Sequence, residues 1–372
     1  MRNKNLFIPV LLSAFILSLF LSPSLSALKK NRGQQPQKTK PIIIPIQVKA
    51  VFEEGLKTQE PRLDIPFTIA EHFYLPSLSQ NLYTIFLFKV KNEDLGYSPI
   101  ERPGERQEKK KEGGKEEVQP SSMSAPTRLL SSSSLFIQLN KLENGSPGEL
   151  VSEVYIPIRI ETDSGSYESD KEEIYSTGYP FPPGHYLASI AIVSKDLEKI
   201  GTQYLELSLP NAATITDRLE TTPIFSYKNM EEMSSPDTIV TFHKGFFTYS
   251  ILKFEPNLER AYSSGDTMEV FFYIYGAQPV EGQNFNIEIS FEILKGEDVE
   301  LSWAPQIYTA PLINQPLPLK KTVLITSTTK DGQTTEKKEN RQIEPGSYTL
   351  SMTITDKVSG KSIVKTSDFV VK

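Results

Sequence analysis

The sequence predicts an all-β chain: two tandem antiparallel β-sandwich, Ig-like domains after an N-terminal signal peptide. Three observations lead there. Short runs rich in Ile, Val, Phe, Tyr and Thr recur along the chain, several in strict polar–apolar alternation. No 12-residue window combines 3.6-residue periodicity with caps at both ends, and 27 prolines punctuate the 372 residues. One turn-and-strand pattern is written twice, 162 positions apart.

In chain order, Arg2 and Lys4 precede an apolar run from Leu6 to Leu21, and small residues Ser22, Ser24, Ser26 and Ala27 follow. This is the charged, apolar, small-residue order of a secretory signal over residues 1–27, cut near Ser26 or Ala27. The run contains Pro9 and is shorter than the roughly 20 residues a spanning helix needs, so an uncleaved anchor is the alternative. Residues 28–40 read as a flexible basic lead. The first domain is expected over 41–212, opening with a β-branched run from Ile42 to Phe52. Its further runs are Leu82 to Val90, Leu135 to Leu142, Val151 to Ile160, Tyr186 to Val193 and Tyr204 to Leu209. Within it, Glu101 to Glu117 carries six acids and six bases, and Ser/Pro-rich residues follow to Ser134. With few apolar anchors to offset ordering entropy, 100–133 is expected to be a disordered insertion. Residues 213–240 mix Thr, Pro, Met and Glu and read as a connector.

The second domain is expected over 241–372, with runs Phe246 to Phe254, Met268 to Tyr275, Phe285 to Leu294, Thr322 to Thr328, Tyr348 to Thr355 and Ser367 to Val371. Ile287, Ile289, Phe291 and Ile293 alternate with Glu288, Ser290 and Glu292, as in a sheet with one wet face. Met268 to Tyr275 is apolar on both faces, which fits a central strand or one covered by the neighbouring domain.

The repeat aligns Phe181-Pro182-Pro183-Gly184-His185-Tyr186 with Ile343-Glu344-Pro345-Gly346-Ser347-Tyr348 without a gap. Each feeds a strand, a turn (Ser194-Lys195-Asp196; Asp356-Lys357) and a final strand. Pro fixes φ and Gly permits φ > 0, so Pro183-Gly184 and Pro345-Gly346 are expected to turn the chain with both glycines at positive φ. Tyr186 and Tyr348 are then expected to bury their rings and return their hydroxyls to backbone, as a tyrosine corner does. With one corner in each domain, damage to one is expected to leave the other half nearly intact.

The Pro-Gly-x-Tyr strand, the Asp356-Lys357 turn with Ser359-Gly360-Lys361, and Phe254-Glu255-Pro256 before Gly265-Asp266 resemble tandem β-sandwich modules of bacterial exported proteins. In that group such modules accompany a von Willebrand type A domain or domains bearing a Gly-Trp-x-Thr-Asp motif. Neither companion is seen in this sequence. The resemblance implies export and a sandwich fold and leaves activity open.

Composition narrows the chemistry. The absence of Cys excludes disulfides, thiol catalysis and cysteine metal sites. Forty Lys+Arg against 46 Asp+Glu, a formal charge of −6, gives no footprint for nucleic acid. Gly-x-Ser-x-Gly and His-Glu-x-x-His are missing, and only His72, His185 and His243 could serve as bases. Gly360-Lys361-Ser362 lacks the earlier glycine of a phosphate loop and reads as a turn. The acids Glu161, Asp163, Glu168, Asp170, Glu172 and Glu173 are the best calcium candidates, against a reading as a solvated loop, and EF-hand spacing fails there. Aromatic groups at Tyr175, Tyr179, Phe181 and Tyr186, and at Phe242, Phe246, Phe247 and Tyr249, either fill a core or seam or stack on sugars. The expected function is an exported, non-catalytic structural or interaction protein of the periplasm or cell exterior. Its expected partner is an unknown protein of the cell envelope, with no cofactor, no nucleic acid, and no membrane contact except through an uncleaved signal. A carbohydrate binder is the alternative, and an enzyme with a spatial carboxylate pair the third reading.

Overall fold

The computed structural model describes residues 44–77, 80–100, 128–237, 239–280, 282, 284–330 and 333–372. The expected signal, the basic lead and the charged stretch 101–127 lie outside them. The described chain is mostly β, in antiparallel sheets stacked face to face.

The outermost sheet of the first half runs Ile200–Leu209, Gly184–Val193, Ser134–Glu143, Ser146–Pro157. Its inner side chains, including Leu135, Ile137, Ile190 and Leu207, meet Phe67, Leu82, Phe86 and Phe88 of a second sheet. That sheet runs Phe67–Pro76, Leu82–Lys91, Glu172–Phe181, His243–Lys244. Its far face offers Phe73, Leu75, Ile85 and Leu87 to a third sheet, built round Phe225–Glu232, Leu252–Pro256 and Thr267–Tyr275. Alternation within Thr267–Tyr275 sends Phe271 to that seam and Val270, Phe272 and Ile274 to the other side. There they meet a fourth sheet, Ser362–Val371, Gly346–Asp356, Ile287–Lys295, Asp298–Ser302. A strand apolar on both faces is what a middle layer requires, and the expectation for Met268 to Tyr275 holds.

The repeat is larger than the sequence shows. The closing strands Gly184–Val193 and Ile200–Leu209 begin 162 positions before Gly346–Asp356 and Ser362–Val371. Both outer sheets place closing strand, corner strand, an earlier strand and that strand's hairpin partner in the same order. Ladder partners correspond as well: Phe136 faces Ala191 in one copy, and Ser290 faces Thr353 in the other.

Three expectations are corrected. The β-branched run is a helix, Ile46–Thr58, burying Val48, Phe52 and Gly55 at spacings of four and three. Proline stands at its N-cap without a side-chain bond, and a glycine sits inside it, so neither start nor interior carries a helix signal. The glycine is required because a Cβ at Gly55 would overlap the Tyr204 ring. Second, residues 213–240 are no mere connector: Glu220–Thr221 and Phe225–Glu232 are strands, and Phe225 and Tyr227 are core. Third, the expected disordered insertion ends earlier than 133, since Arg128–Leu130 is a strand and Ser131 and Ser133 are buried, both donating to the Leu95 carbonyl. Polar content misled there, because hydroxyls can be buried once they have acceptors.

Candidate functional site: the tyrosine corners and the aromatic seam

The corners form at both copies. Tyr186 donates to the carbonyls of Pro182 (3.1 Å) and Pro183 (3.0 Å), and Tyr348 donates to that of Glu344 (2.7 Å). Both rings are buried, at 3% exposure each. Burial pushes the Tyr186 phenol upward, with Lys141 opposing, so the hydroxyl stays a donor. Lys141 faces Tyr186 across the ladder, and in the second copy Lys295 Nζ lies 5.7 Å from the Tyr348 ring centre, within cation–π range.

The glycines need correction. Gly346 has φ +156, whereas Gly184 is not at positive φ. A Cβ at Gly184 would instead overlap the Tyr186 ring, which folds back along its own strand. At Gly346 the same Cβ would sit 3.6 Å from Tyr348, an ordinary contact. One glycine is needed for space and the other for its backbone. Pro183 and Pro345 stand immediately before them, as the motif requires.

The turn after each corner strand also repeats. The Ser194 N–H donates to the Lys199 carbonyl (3.0 Å), and the Asp356 N–H to that of Lys361 (2.9 Å). In the second copy the buried Asp356 carboxylate also accepts from the Gln278 N–H (3.0 Å), the Val358 N–H (3.1 Å) and the Ser359 hydroxyl (2.5 Å). Burial raises its pKa, but these donors outweigh burial and hold it below the usual carboxylate value.

The predicted aromatic groups fill cores. Tyr175, Phe181, Tyr186, Phe242, Phe247 and Tyr249 are buried, and Tyr179 and Phe246 are half-buried. Phe73 stacks on Phe225 at 4.6 Å and meets Phe247 edge-on at 5.1 Å. Tyr249 donates to the Pro76 carbonyl (2.8 Å), and Arg260 pairs with Glu71 (2.8 Å), so the halves are joined by packing, hydrogen bond and ion pair. Phe242 crosses further and stacks on Tyr175 at 5.4 Å.

Three of the six loop acids, Glu161, Asp163 and Glu173, meet cations. Glu161 pairs with Arg128 at 3.0 Å, and Glu173 meets Lys171 and Lys244 at 3.2 Å each. Among the described residues no three His, Asp or Glu side chains converge as metal ligands. Of the histidines, His72 is held below its usual pKa by burial, Glu71 opposing. His243 is likewise lowered by burial and lies 3.3 Å from Asp237, which opposes the shift. His185 Nδ1 lies 2.8 Å from the Ser208 hydroxyl, and its Nε2 lies 3.8 Å from Glu206. This trio is exposed on the outermost sheet, on the edge strand Ile200–Leu209 and its neighbour Gly184–Val193.

A trio around the buried Tyr227, with Glu269 and Asn314 half-buried, went unread in the sequence. Tyr227 Oη lies 3.1 Å from Glu269 Oε2 and 2.5 Å from Asn314 Oδ1. Burial raises the Glu269 carboxyl and the bond from Tyr227 offsets part of that. The trio comes from three strands, so no local spacing announces it. A groove of about 530 Å³ runs beside it, lined by Tyr227, Lys228, Glu259, Asp266 and Lys372 among others. No described helix is long and apolar enough to cross a membrane. No family model matches the chain, and no curated protein matches it.

Proposed function

We propose that the chain is an exported, non-catalytic scaffold of the cell envelope, periplasmic or extracellular. In this reading two Ig-like β-sandwich modules, fused back to back, present inserted segments to an envelope partner. One observation carries it. In the first copy the strand Glu172–Phe181 runs straight into its corner. In the second, Leu312–Pro318 pairs with the central strand Thr267–Tyr275, and the chain then departs before Ile343 starts the corner. The interruption is a β-ribbon, Lys320–Lys330 with Gln333–Gln342, forming a two-stranded sheet of its own. The Ile343 N–H donates to the Leu319 carbonyl (3.4 Å), so the framework closes beneath the ribbon as though it were absent. An element the repeat does not need, and which pairs with no other sheet, is placed for something outside the chain.

The charged, apolar and small-residue order of residues 1–27 supports export. The test is photo-crosslinking in exporting cells, with the probe at the exposed ribbon positions Lys320 and Gln342 or at Thr353 and Thr366 on the outermost sheet face. Adducts at the ribbon and not at the sheet face are expected. Adducts at neither, or equally at both, would refute the display reading. N-terminal sequencing of the exported protein should begin near Ala27 or Leu28.

A further inference from the structure

We infer that the strand Ser146–Pro157 is the seat of a homodimer, in which a second molecule of this chain adds the same strand antiparallel and joins two outermost sheets into one. The inference does not rest on the display reading. This strand ends its sheet and, among the described residues, pairs only with Ser134–Glu143. The Ile158 N–H donates to the Ser133 carbonyl (3.0 Å), and the register runs without a slip from there to Ser152. Main-chain direction alternates along a strand, so Ile156 and Val154 bond the neighbour while Tyr155 and Glu153 turn their N–H and C=O groups to the free edge. Such an edge is a template for another strand, and sheets commonly blunt it with a proline, a bulge or a lysine. The second half of the repeat is blunted at this place. There Glu292 faces Ser302 and Ile289 faces Gln306, so Trp303-Ala304-Pro305 leaves the register between them. In the first half the matching Gln138 and Leu135 face Glu153 and Ile156 in unbroken register, and Ser152 to Ile156 holds neither proline nor lysine.

The register about Val154 selects the chain's own strand as the occupant. A two-fold axis there sets Glu153 against the partner's Tyr155 and Tyr155 against the partner's Glu153, with two main-chain bonds in each pair. No acid then stands directly opposite an acid. The two Glu153 side chains fall on a diagonal, roughly 7–8 Å apart, and each lies 3.6 Å from Lys49 of its own helix. The pairing therefore needs that helix, which balances the only acid within the regular stretch. The same axis carries the exposed Glu149 of one molecule toward the strand end where the partner's exposed Arg159 stands. Tyr155, 46% exposed, is steadied by the Phe136 ring at 5.3 Å, and Leu150 and Val151 extend the exposed apolar margin.

The experiment combines light scattering with disulfide mapping on the mature chain, residues 28–372, which has no cysteine of its own. The parent is expected to be a dimer that dissociates on dilution. Lys49→Glu places a second acid beside each Glu153 and should weaken the dimer by about tenfold or more. Glu153→Cys and Tyr155→Cys, each oxidised alone, should stay unlinked, because like positions meet only on the diagonal, beyond the roughly 4.4–6.8 Å between Cα atoms that a disulfide spans. Mixed and oxidised together, the two variants should give a covalent heterodimer. A monomeric parent, a mixture that does not link, or single variants that link as readily as the mixture would overturn the inference. A dimer left at full strength by Lys49→Glu would overturn it as well, by placing the interface elsewhere.

Discussion

The ring of Phe73, in the first half of the chain, stacks on that of Phe225, in the second, with centroids 4.6 Å apart and planes 25° from parallel. Phe247 meets both rings edge-on, and Phe271 and Phe254 close the cluster around Phe225. Both inner sheets thus bury two faces, one in their own half and one in this seam. Separating the halves would expose several rings at once, each worth about 1.5–3 kcal/mol of transfer free energy.

The seam replaces the expectation of independent halves. Calorimetry of the whole chain should show one unfolding transition, and Phe73→Ala or Phe225→Ala should each destabilise it by about 3–5 kcal/mol. Two well-separated transitions, with only one moved by Phe73→Ala, would show that the seam does not couple the halves.

The two corner glycines should answer differently to the same substitution. Gly184→Ala puts a methyl into the Tyr186 ring, and Gly346→Ala puts a side chain on a backbone at φ +156. Each should cost about 1–3 kcal/mol. In a Tyr186→Ala background the Gly184→Ala cost should vanish, because the ring has gone. In a Tyr348→Ala background the Gly346→Ala cost should persist, because the backbone has not changed. Double-mutant cycles in urea measure both couplings, and equal coupling at the two sites would contradict the distinction.

The corners were legible because they are local: five or six residues hold the turn, the ring and the acceptor. The strands Leu82–Lys91 and Thr267–Tyr275 were legible because β-branched and aromatic residues crowd them, and Ser134–Glu143 because its apolar run Leu135 to Ile137 continues at Leu139. Phe67–Pro76 and Glu172–Phe181 were passed over, since Glu71 and His72 interrupt one, and Gly178 and Pro180 the other. Those interruptions have tertiary causes. Glu71 reaches Arg260 of the other half, and a Cβ at Gly178 would overlap the Tyr83 ring. The Tyr227–Glu269–Asn314 trio was illegible for the same reason, its members meeting only after three strands pair.

The helix Ile46–Thr58 covers Phe136, Ala191, Val193 and Ile200 on the outermost sheet of the first half. At the equivalent ladder places the second copy has Ser290, Thr353, Thr355 and Ser362, on a face that no described helix covers. The four covered places are apolar and their four equivalents are hydroxyl residues, although Val364 stands exposed beside Thr353 on the uncovered face. A chain starting at residue 59 should bind a hydrophobic dye and self-associate. Adding Phe136→Ser, Ala191→Thr, Val193→Thr and Ile200→Ser to it should abolish both. Light scattering reads the outcome, and a monomeric truncated chain without those changes would mean that the helix covers nothing sticky.

Two carboxyls should give opposite signs in the pH dependence of stability. Asp356 is held below its ordinary value of 3.8 by its donors. Its contribution is complete above that value and is lost as pH falls through the lower folded value. Asp356→Ala should therefore destabilise at neutral pH, by about 1.5–3 kcal/mol for a charged hydrogen bond, with the difference shrinking in acid. Glu269 runs the other way. Burial lifts it above its ordinary 4.5, so folding favours the protonated form, and stability declines as pH rises from that value through the folded one. Tyr227 has one proton for two acceptors, Glu269 Oε2 and Asn314 Oδ1, so its bond to Glu269 offsets only part of the effect of burial. Glu269→Gln keeps a donor and removes the charge. Its stability in urea should equal that of the parent in acid and exceed it at neutral pH. A Glu269→Gln chain less stable than the parent at neutral pH would show that the ionised carboxylate, not the acid, is what the Tyr227 hydroxyl needs.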